Sequence, residues 1–249
     1  MHCEEYLDAI IAKLAEVRDS QWKAMAAAAQ AISEAIADGG TVWTFGCGHS
    51  GLLAHEVYYR AGGLMLVNAI TAPGQSLDVH PVPMTSQMER LEGYSQTLAD
   101  AQPMKAGDAI IVISTSGRNA VPIEMALAAR ERGLKVIALT SLAYSKSVPS
   151  RHPSGKHLAD AADVVLDNCA PAGDALQELP GLPEKIGPSS GAVGAAMLHA
   201  VIVQAVANLL ERGIEPPVFL SGNLPEGDAH NERLMRQYAD RIHYTAPRP

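Results

Sequence analysis

The amino-acid sequence predicts an α/β fold, a three-layer sandwich with a central parallel sheet. Short runs of aliphatic and β-branched residues alternate with longer stretches of helical periodicity, which is typical of repeated βα units. The runs, such as AIIVIS at 109–114, are apolar on both faces. Strands of this kind lie in sheets that helices cover on both sides.

The first βα unit follows an N-terminal helical stretch. Residues 3–37 predict one or two helices, because apolar residues recur at helical spacing and Asp-Gly-Gly at 38–40 ends the pattern. TVWTF at 41–45 is a predicted strand. The loop GCGHSG at 46–51 and a helical stretch to Arg60 follow it.

Three further strands are predicted along the chain. The strand 109–114 is followed by a short polar loop and by a helix that ends at Gly133. LKVIALT at 134–140 and ADVVLDN at 162–168 supply the other two strands. Because each strand is separated from the next by a helix or a loop, we expect them to lie parallel.

The C-terminal part predicts a long loop, a long helix and a polar arm. Residues 169–188 are rich in Pro and Gly, and long loops of this kind are often functional. Residues 190–211 predict a long apolar helix on the sheet, and a short helix is expected near 231–241. We therefore predict one domain over 1–212, including the N-terminal helical extension, and a C-terminal arm over 213–249.

Composition and charge restrict the class of partner. The chain has 249 residues, of which 47% are hydrophobic and 18% charged, so global disorder is excluded. The net charge is −8 and there is no basic run, which argues against nucleic acid as a partner, because that affinity depends on neutralising phosphates. A small anion could still bind locally to backbone N–H groups.

The cysteines and the N-terminus predict a cytoplasmic protein. Cys3, Cys47 and Cys169 are odd in number and include no CxxC pair, so a reducing compartment is expected. The N-terminus lacks the pattern of a signal peptide. The longest apolar run, 192–210, contains polar residues and predicts a buried helix, not a membrane span.

Three loops carry the residues from which an anion site could be built. They supply glycines, hydroxyls and an imidazole where helices begin, and helix N-termini offer free N–H groups and a partial positive charge. The candidate residues are Gly48, His49 and Ser50 in the first loop, Ser114, Thr115, Ser116, Gly117 and Asn119 in the second, and Ser189 and Ser190 in the third. Together they predict a phosphate site without a lysine.

Two other interpretations of these loops remain open. Ser and Thr residues often only cap helices, so a single serine-rich turn would carry little weight. The loop at 46–51 also matches the spacing GxGxxG of dinucleotide-binding proteins, but no clear acidic residue ends the next strand.

The sequence resembles the sugar isomerase (SIS) domain family. The resemblance rests on STSGRN at 114–119 after AIIVI and on GCGHSG at 46–51 after TVWTF. Within that family, the stretches 48–63, 150–158 and 224–231 resemble a single-domain subgroup related to N-acetylmuramic acid 6-phosphate etherases. The resemblance implies a flavodoxin-like fold and a phosphosugar ligand.

The resemblance also implies roles for individual residues. Ser114, Ser116 and Asn119 would contact the phosphate, and Thr115 and Gly117 would donate backbone N–H groups to it. His49 and Ser50 would border the sugar. Arg118 is either part of the site or a solvated charge.

A reaction on such a sugar needs a base that removes a proton next to a carbonyl group. Glu56 is the best candidate on the sequence, although it could equally form an ordinary ion pair with Arg60 four residues later. Etherases of the family use two glutamates, and Glu89 or Glu92 could be the second one, which protonates the leaving oxygen. His230 lies in a loop from which it could reach a site.

No metal and no organic cofactor are expected. Metal-binding phosphoheptose isomerases of the family place a His and a Glu four residues apart on the helix after the first loop. Here His55 and Glu56 are adjacent. A histidine inside an apolar helix, such as His199, is most often a core residue, although some isomerases of the family place a catalytic or metal-binding histidine there.

These observations predict a homodimeric lyase that acts on an amino-sugar 6-phosphate. N-acetylglucosamine 6-phosphate is the expected substrate, with proton abstraction at C2 and elimination of the C3 substituent. Two alternatives remain open: an aldose–ketose phosphosugar isomerase, and a non-catalytic phosphosugar-binding regulator. The apolar helices 6–17 and 192–210 offer the surface for a second copy.

Overall fold

The chain begins with one continuous helix, α1 (His2–Ala37), where the sequence allowed one or two. The structure, a computed structural model, describes residues 1–245. The second half of α1 is rich in alanine and contains no Gly or Pro, so nothing interrupts the helix. Gly39, with φ of +84°, turns the chain toward the sheet.

Five parallel strands form the central sheet in the order β2-β1-β3-β4-β5. The strands are β1 (Val42–Gly46), β2 (Val67–Ala69), β3 (Ala109–Ile113), β4 (Lys135–Thr140) and β5 (Val164–Asp167). The predicted α/β class with a parallel sheet is confirmed, and the strand order is that of flavodoxin-like proteins. The prediction missed β2, a three-residue edge strand that is too short to show a pattern of its own.

Helices cover both faces of this sheet. They are α2 (His49–Glu56), α3 (Met84–Met88), α4 (Tyr94–Asp100), α5 (Ala120–Glu131), α6 (Leu142–Ser147), α7 (Ser190–Glu211) and α8 (Gly227–Gln237), with a single 3₁₀ turn at Leu158–Ala161. One apolar core joins α1, α2 and α7 to one face, and a second core joins α4, α5 and the 3₁₀ turn to the other.

Three predicted boundaries differ in the structure. Helix α2 ends at Glu56 instead of Arg60, and Tyr59 has a positive φ of 43° that ends the helical path. The predicted loop 169–188 contains an antiparallel pair, β6 (Ala175–Gln177) and β7 (Ile186–Pro188). The short C-terminal helix begins four residues earlier than expected, at Gly227.

The C-terminal residues pack against the same core as α1 and α7. Phe219, Leu234 and Ile242 are buried in it, and the ring of His243 stacks on Trp43 at a centroid distance of 5.0 Å. The last four residues of the predicted arm, 246–249, lie outside the described part of the chain.

Helix α7 is the one helix in residues 1–245 that is long and apolar enough to cross a membrane by length and composition. Here Val193, Leu198 and Val201 are fully buried against the first core. The helix thus serves as a core element of this fold, since the core helix of a globular domain passes the same test.

Candidate functional site

A cavity of about 530 Å³ lies beyond the carboxyl ends of β1 and β3. The two strands pair in parallel, with Gly46 opposite Ile113, so the loops that follow them leave the sheet side by side. Ligands of open parallel sheets bind at this edge. The cavity is lined by Cys47, Gly48, His49, Ser50, Leu77, Val82, Pro83, Thr85, Ser86, Glu89, Ser114, Thr115, Ser116, Asn119 and Tyr144.

The first loop needs glycine for steric reasons. A Cβ on Gly46 would clash with the Ser50 carbonyl oxygen, so a larger residue would push the loop away from α2. Gly48 has φ of +55°, and its N–H donates to the carbonyl of Gln75 at 2.8 Å. These contacts set His49 and Ser50 at the first turn of α2, facing the cavity.

The second loop turns sharply between β3 and α5. Gly117 has φ of +60°, its N–H donates to Ser114 Oγ at 3.3 Å, and a Cβ on it would meet Thr140 Oγ1 at 2.9 Å. Asn119 stands at the N-cap of α5 but forms no side-chain capping bond. Its Oδ1 instead accepts a hydrogen bond from Arg151 Nη1 at 2.9 Å, and its side chain also hydrogen-bonds Glu89 in the cavity wall.

The third loop is engaged with an internal carboxylate. The N–H groups of Ser189 and Ser190 donate to Asp174 Oδ1 at 3.0 and 2.8 Å, and both hydroxyls bond the same carboxylate. A second cavity, of about 370 Å³, lies here and shares His49, Ser50 and Thr115 with the first. A phosphate bound by Ser189 and Ser190 would have to displace Asp174.

Glu89 is the carboxylic acid in the wall of the first cavity. It follows α3, and its backbone carbonyl accepts the N–H of Val121 at 3.2 Å, which ties it to the start of α5. Burial raises the pKa of the Glu89 carboxyl, and Asn119, Arg151 and Arg90 only partly counter that rise. A carboxyl of this kind suits proton transfer near neutral pH.

The structure places Glu56 outside this cavity. Its side chain is 40% exposed at the end of α2, paired with Arg60, and its Oε1 lies 3.1 Å from Nε2 of His199 on α7. Hydrogen bonding to His199 lowers the pKa of this carboxyl, with a further contribution from Arg60. The ion pair with Arg60, one of the two interpretations open on the sequence, is therefore formed.

Two other predicted residues also lie away from the cavity lining. Glu92 is exposed in the turn between α3 and α4. His230, on α8, donates from Nε2 to the carbonyl of Val218 at 3.0 Å. The structure therefore brings together Glu89 and the first two loops, and it places Glu56, Glu92 and His230 elsewhere.

Sequence reasoning missed the segment 75–89 as a wall of the cavity. It contributes Leu77, Val82, Thr85 and Ser86 in addition to Glu89. The segment has little regular structure and no hydrophobic period. The available signal was the length of chain between β1 and β3, which is far more than one crossover helix needs.

The imidazole and thiol groups do not form a metal site with the acids. Within residues 1–245, no three His, Cys, Asp or Glu side chains are grouped closely enough to hold a metal ion. The thiol of Cys47 lines the cavity but is buried, and burial together with Glu89 raises its pKa well above the ordinary value. A thiol in this state is a poor nucleophile.

The cavity, with two glycine- and hydroxyl-containing loops at one sheet edge, defines an α/β protein built to hold a small polar ligand. The SIS domain model matches residues 5–141, and the chain belongs to the SIS domain family. The UPF0309 protein of Shouchella clausii is 42% identical to it over 98% of this chain and 99% of the relative. A UPF0309 protein of Streptomyces avermitilis is 45% identical over 97% and 96%.

A solved structure supports the same fold. The phosphoheptose isomerase of Neisseria gonorrhoeae superimposes with a TM-score of 0.55 and 20% identity, covering 83% of this chain and 97% of the isomerase. The five-stranded parallel sheet with helices on both faces is therefore shared with that protein.

Proposed function

We propose that this protein is a phosphosugar enzyme that removes a proton next to the sugar carbonyl with Glu89. The observation that supports this most is the position of Glu89. It is a half-buried carboxyl of raised pKa in the wall of a cavity whose other wall is a loop of hydroxyls and glycines. A base and an anion site thus face the same space.

The phosphate would bind to the first two loops. Ser114, Thr115, Ser116 and Asn119 line the cavity together with Gly48, and two helices begin at these loops. Hydroxyls, backbone N–H groups and helix N-termini together stabilise a dianion without a lysine. The name of the structurally similar isomerase, a phosphoheptose isomerase, agrees with a phosphorylated sugar as ligand.

Glu89 gains basicity from the same ligand. A phosphate dianion nearby disfavours a second negative charge, so the pKa of Glu89 rises further when the substrate binds. A carboxylate whose pKa approaches neutrality can take a carbon-bound proton more effectively than one of ordinary pKa. The anion site therefore acts on the base as well as on the substrate.

The reaction that we propose is elimination from N-acetylglucosamine 6-phosphate in its open-chain form. Glu89 takes the proton from C2, which lies next to the C1 aldehyde, and an enolate forms. The C2–C3 double bond then forms as the C3–O bond breaks, and water leaves with a proton from His49, which lines the same cavity. This is the chemistry that the resemblance to etherases implies, with Glu89 in place of Glu56 as the base.

A second reaction, aldose–ketose isomerisation, is favoured by one specific feature. In the described part of the chain, Glu89 is the one carboxylic acid that lines the cavity. A single carboxyl can take a proton from C2 and return it to C1, whereas elimination also requires an acid for the leaving oxygen. The two reactions share the same enolate and the same base.

A test of both reactions is NMR of N-acetylglucosamine 6-phosphate incubated with the enzyme in D₂O. Olefinic C2–C3 signals indicate elimination, ketose signals indicate isomerisation, and deuterium at C2 without a new product indicates enolate formation alone. Glu89→Gln should abolish all three, and Glu92→Gln, three residues away and exposed, should abolish none. Binding without any of these signals would identify a sensor and contradict the proposal.

We also propose that the protein works as a homodimer through α1 and α7. These helices pack on each other and still expose large apolar side chains, with Ile11 63% and Val203 69% exposed. Apolar surface of this kind on two adjacent helices is typical of a partner site. Sedimentation of the purified protein measures the assembly directly.

A further inference from the structure

Three arginines lie beside the cavity without belonging to its lining. The backbone N–H of Arg151 donates to the carbonyl of Arg118 at 2.7 Å, and its Nη1 donates to Asn119 Oδ1 at 2.9 Å. Arg90 follows Glu89 directly in the chain. Arg90 and Arg151 both interact electrostatically with Glu89, which lines the cavity, and Arg90 and Arg118 interact with Arg151 in the same way, so the three guanidinium groups lie near one another beside this wall.

These arginines have no carboxylate partner in residues 1–245. Five other arginines do form ion pairs within 4.0 Å, namely Arg18, Arg60, Arg132, Arg212 and Arg236. In addition, Nε of Arg118 is buried and has no hydrogen-bond partner among the described residues. An unsatisfied buried donor on a cation is costly, so the position calls for an anion.

The charges around this rim are unbalanced. Burial lowers the pKa of the Arg151 guanidinium, and the like charges of Arg118 and Arg90 lower it further. Glu89 and, to a smaller extent, Tyr144 raise the pKa of Arg151 in the opposite direction. A group of unpaired cations in a chain of net charge −8 is therefore concentrated at one edge of the cavity.

We propose that Arg90, Arg118 and Arg151 form a second anion site for a ligand that carries two anionic groups. The inference rests on the phosphosugar site of the proposed function, since the first group is the phosphate held by the two loops. It changes the substrate, because N-acetylglucosamine 6-phosphate carries only that one anionic group and the ligand inferred here carries a second. The second group is a carboxylate or a phosphate at the other end of the same sugar. A guanidinium binds either of them through two parallel N–H bonds.

The position of Asn119 supports one ligand that reaches both sites. Asn119 lies in the phosphate loop, and one hydrogen bond separates it from Arg151. Arg90 and Arg151 are exposed, so their guanidinium groups can turn toward a ligand in the cavity. A sugar whose phosphate lies against 114–119 thus has its far end within the field of these cations.

Calorimetry with matched ligands tests the second site. Glucose 6-phosphate and 6-phosphogluconate differ by a carboxylate, and fructose 6-phosphate and fructose 1,6-bisphosphate differ by a phosphate. In each pair we expect the doubly anionic ligand to bind at least about tenfold more tightly to the wild type. The pair with the larger ratio identifies the second group as carboxylate or phosphate. Both ratios should fall as KCl is raised.

Variants separate the charge from the structure of the loop. Arg151→Gln should reduce the ratio to less than about threefold, and Arg151→Lys, which keeps the charge but cannot form two parallel N–H bonds, should retain only part of it. The Arg90 side chain forms no ion pair with described residues, and the hydrogen bond to Asn119 comes from Arg151. Arg90→Gln therefore measures the effect of one lost charge on the ratio without disturbing Asn119. Arg236→Gln, on α8 away from the cavity, is the control for the loss of one charge and should leave the ratio unchanged.

The outcomes distinguish this inference from the proposed function. If the monophosphates bind and the doubly anionic ligands bind no more tightly, the second site is wrong and the phosphosugar function stands. If none of the four ligands binds, both proposals are overturned. If the ratio is high but Arg90→Gln and Arg151→Gln leave it unchanged, the second anion binds elsewhere and the assignment of these arginines is wrong.

Discussion

Glu89 and Glu56 are the same residue type near the same sheet edge, yet their environments differ in every respect that matters for proton transfer. Burial raises the pKa of Glu89 at the cavity wall. Hydrogen bonding to His199 lowers the pKa of Glu56, whose side chain is 40% exposed. The comparison teaches that enclosure, more than position along the chain, distinguishes a candidate base from a surface ion pair.

The two carboxyls acquire these environments from the elements that carry them. Glu56 is the last residue of a short helix, where its half-exposed side chain contacts His199 of α7 and Arg60 can reach back four residues. Glu89 ends a one-turn helix in an irregular segment that folds over the sheet edge. The segment removes water from one side of Glu89, which is the physical origin of its raised pKa.

The largest expected effect is the loss of activity in Glu89→Gln. The amide keeps the shape of the side chain but cannot accept a proton from C2, so kcat should fall by about 10²–10⁴-fold. Glu56→Gln should leave kcat within about threefold. Deuterium exchange at C2, followed by NMR, measures both. The reverse ranking would assign the base to Glu56 and contradict the comparison made above.

Much of the fold could be predicted because the deciding signals are local. The strands β1, β3 and β4 are apolar runs buried on both faces, β5 is a half-buried apolar run, and α5 and α7 show helical spacing. The edge strand β2 was not predictable, since its three residues pair with β1 only through the tertiary structure. The chain leaves the helical path after α2 at the positive φ of Tyr59, and tyrosine has no preference for positive φ from which this could be predicted.

The candidate site was predictable in one half only. The two loops follow strands that lie next to each other in a parallel sheet, so their meeting follows from the fold class. The segment 75–89, which forms a wall of the cavity, is not part of the repeated βα pattern. The sequence pattern therefore did not distinguish Glu89 from Glu92 as the acid that lines the cavity. Ser189 and Ser190 hydrogen-bond Asp174, which lies 15 and 16 positions earlier in the chain, and hydrophobic periodicity does not reveal contacts of this kind.

A second prediction compares the phosphate loop with the N-terminus of α7. Ser116→Ala removes a hydroxyl that faces the cavity, and the loss of a hydrogen bond to a charged group should raise KM for the phosphosugar by about 10–100-fold. Ser190→Ala should leave KM within about threefold, because that hydroxyl bonds Asp174. Steady-state kinetics of the two variants decides the matter, and equal effects would show that the phosphate displaces Asp174.

A third prediction concerns the proposed homodimer through α1 and α7. Ile11→Glu places a charge on the exposed apolar face of α1 and should weaken the homodimer by about tenfold or more. Leu224→Glu, an equally apolar exposed position away from α1 and α7, is the matched control. Analytical ultracentrifugation measures the dissociation constant. C2 exchange by the Ile11→Glu monomer then measures whether the cavity works without the partner chain.

The smallest expected effect is on stability, and it has opposite signs at the two carboxyls. The folded-state pKa of Glu89 is raised, so the folded protein binds more protons than the unfolded chain between the unfolded pKa of about 4.5 and that raised value. Stability therefore falls as the pH rises through this window, and Glu89→Gln should raise Tm at neutral pH. The gain should vanish below about pH 4.5, where the carboxyl is protonated in both states.

Glu56 has a lowered pKa, so its contribution to stability is present above its unfolded pKa and is lost as the pH falls through the folded value. Glu56→Gln should accordingly lower Tm at neutral pH, by a small amount because solvent screens this half-exposed pair. Thermal melts of both variants between pH 4 and pH 8 measure the two signs, and a Tm that drops in Glu89→Gln at neutral pH would show that Asn119 and Arg151 stabilise the charged carboxylate more than burial destabilises it.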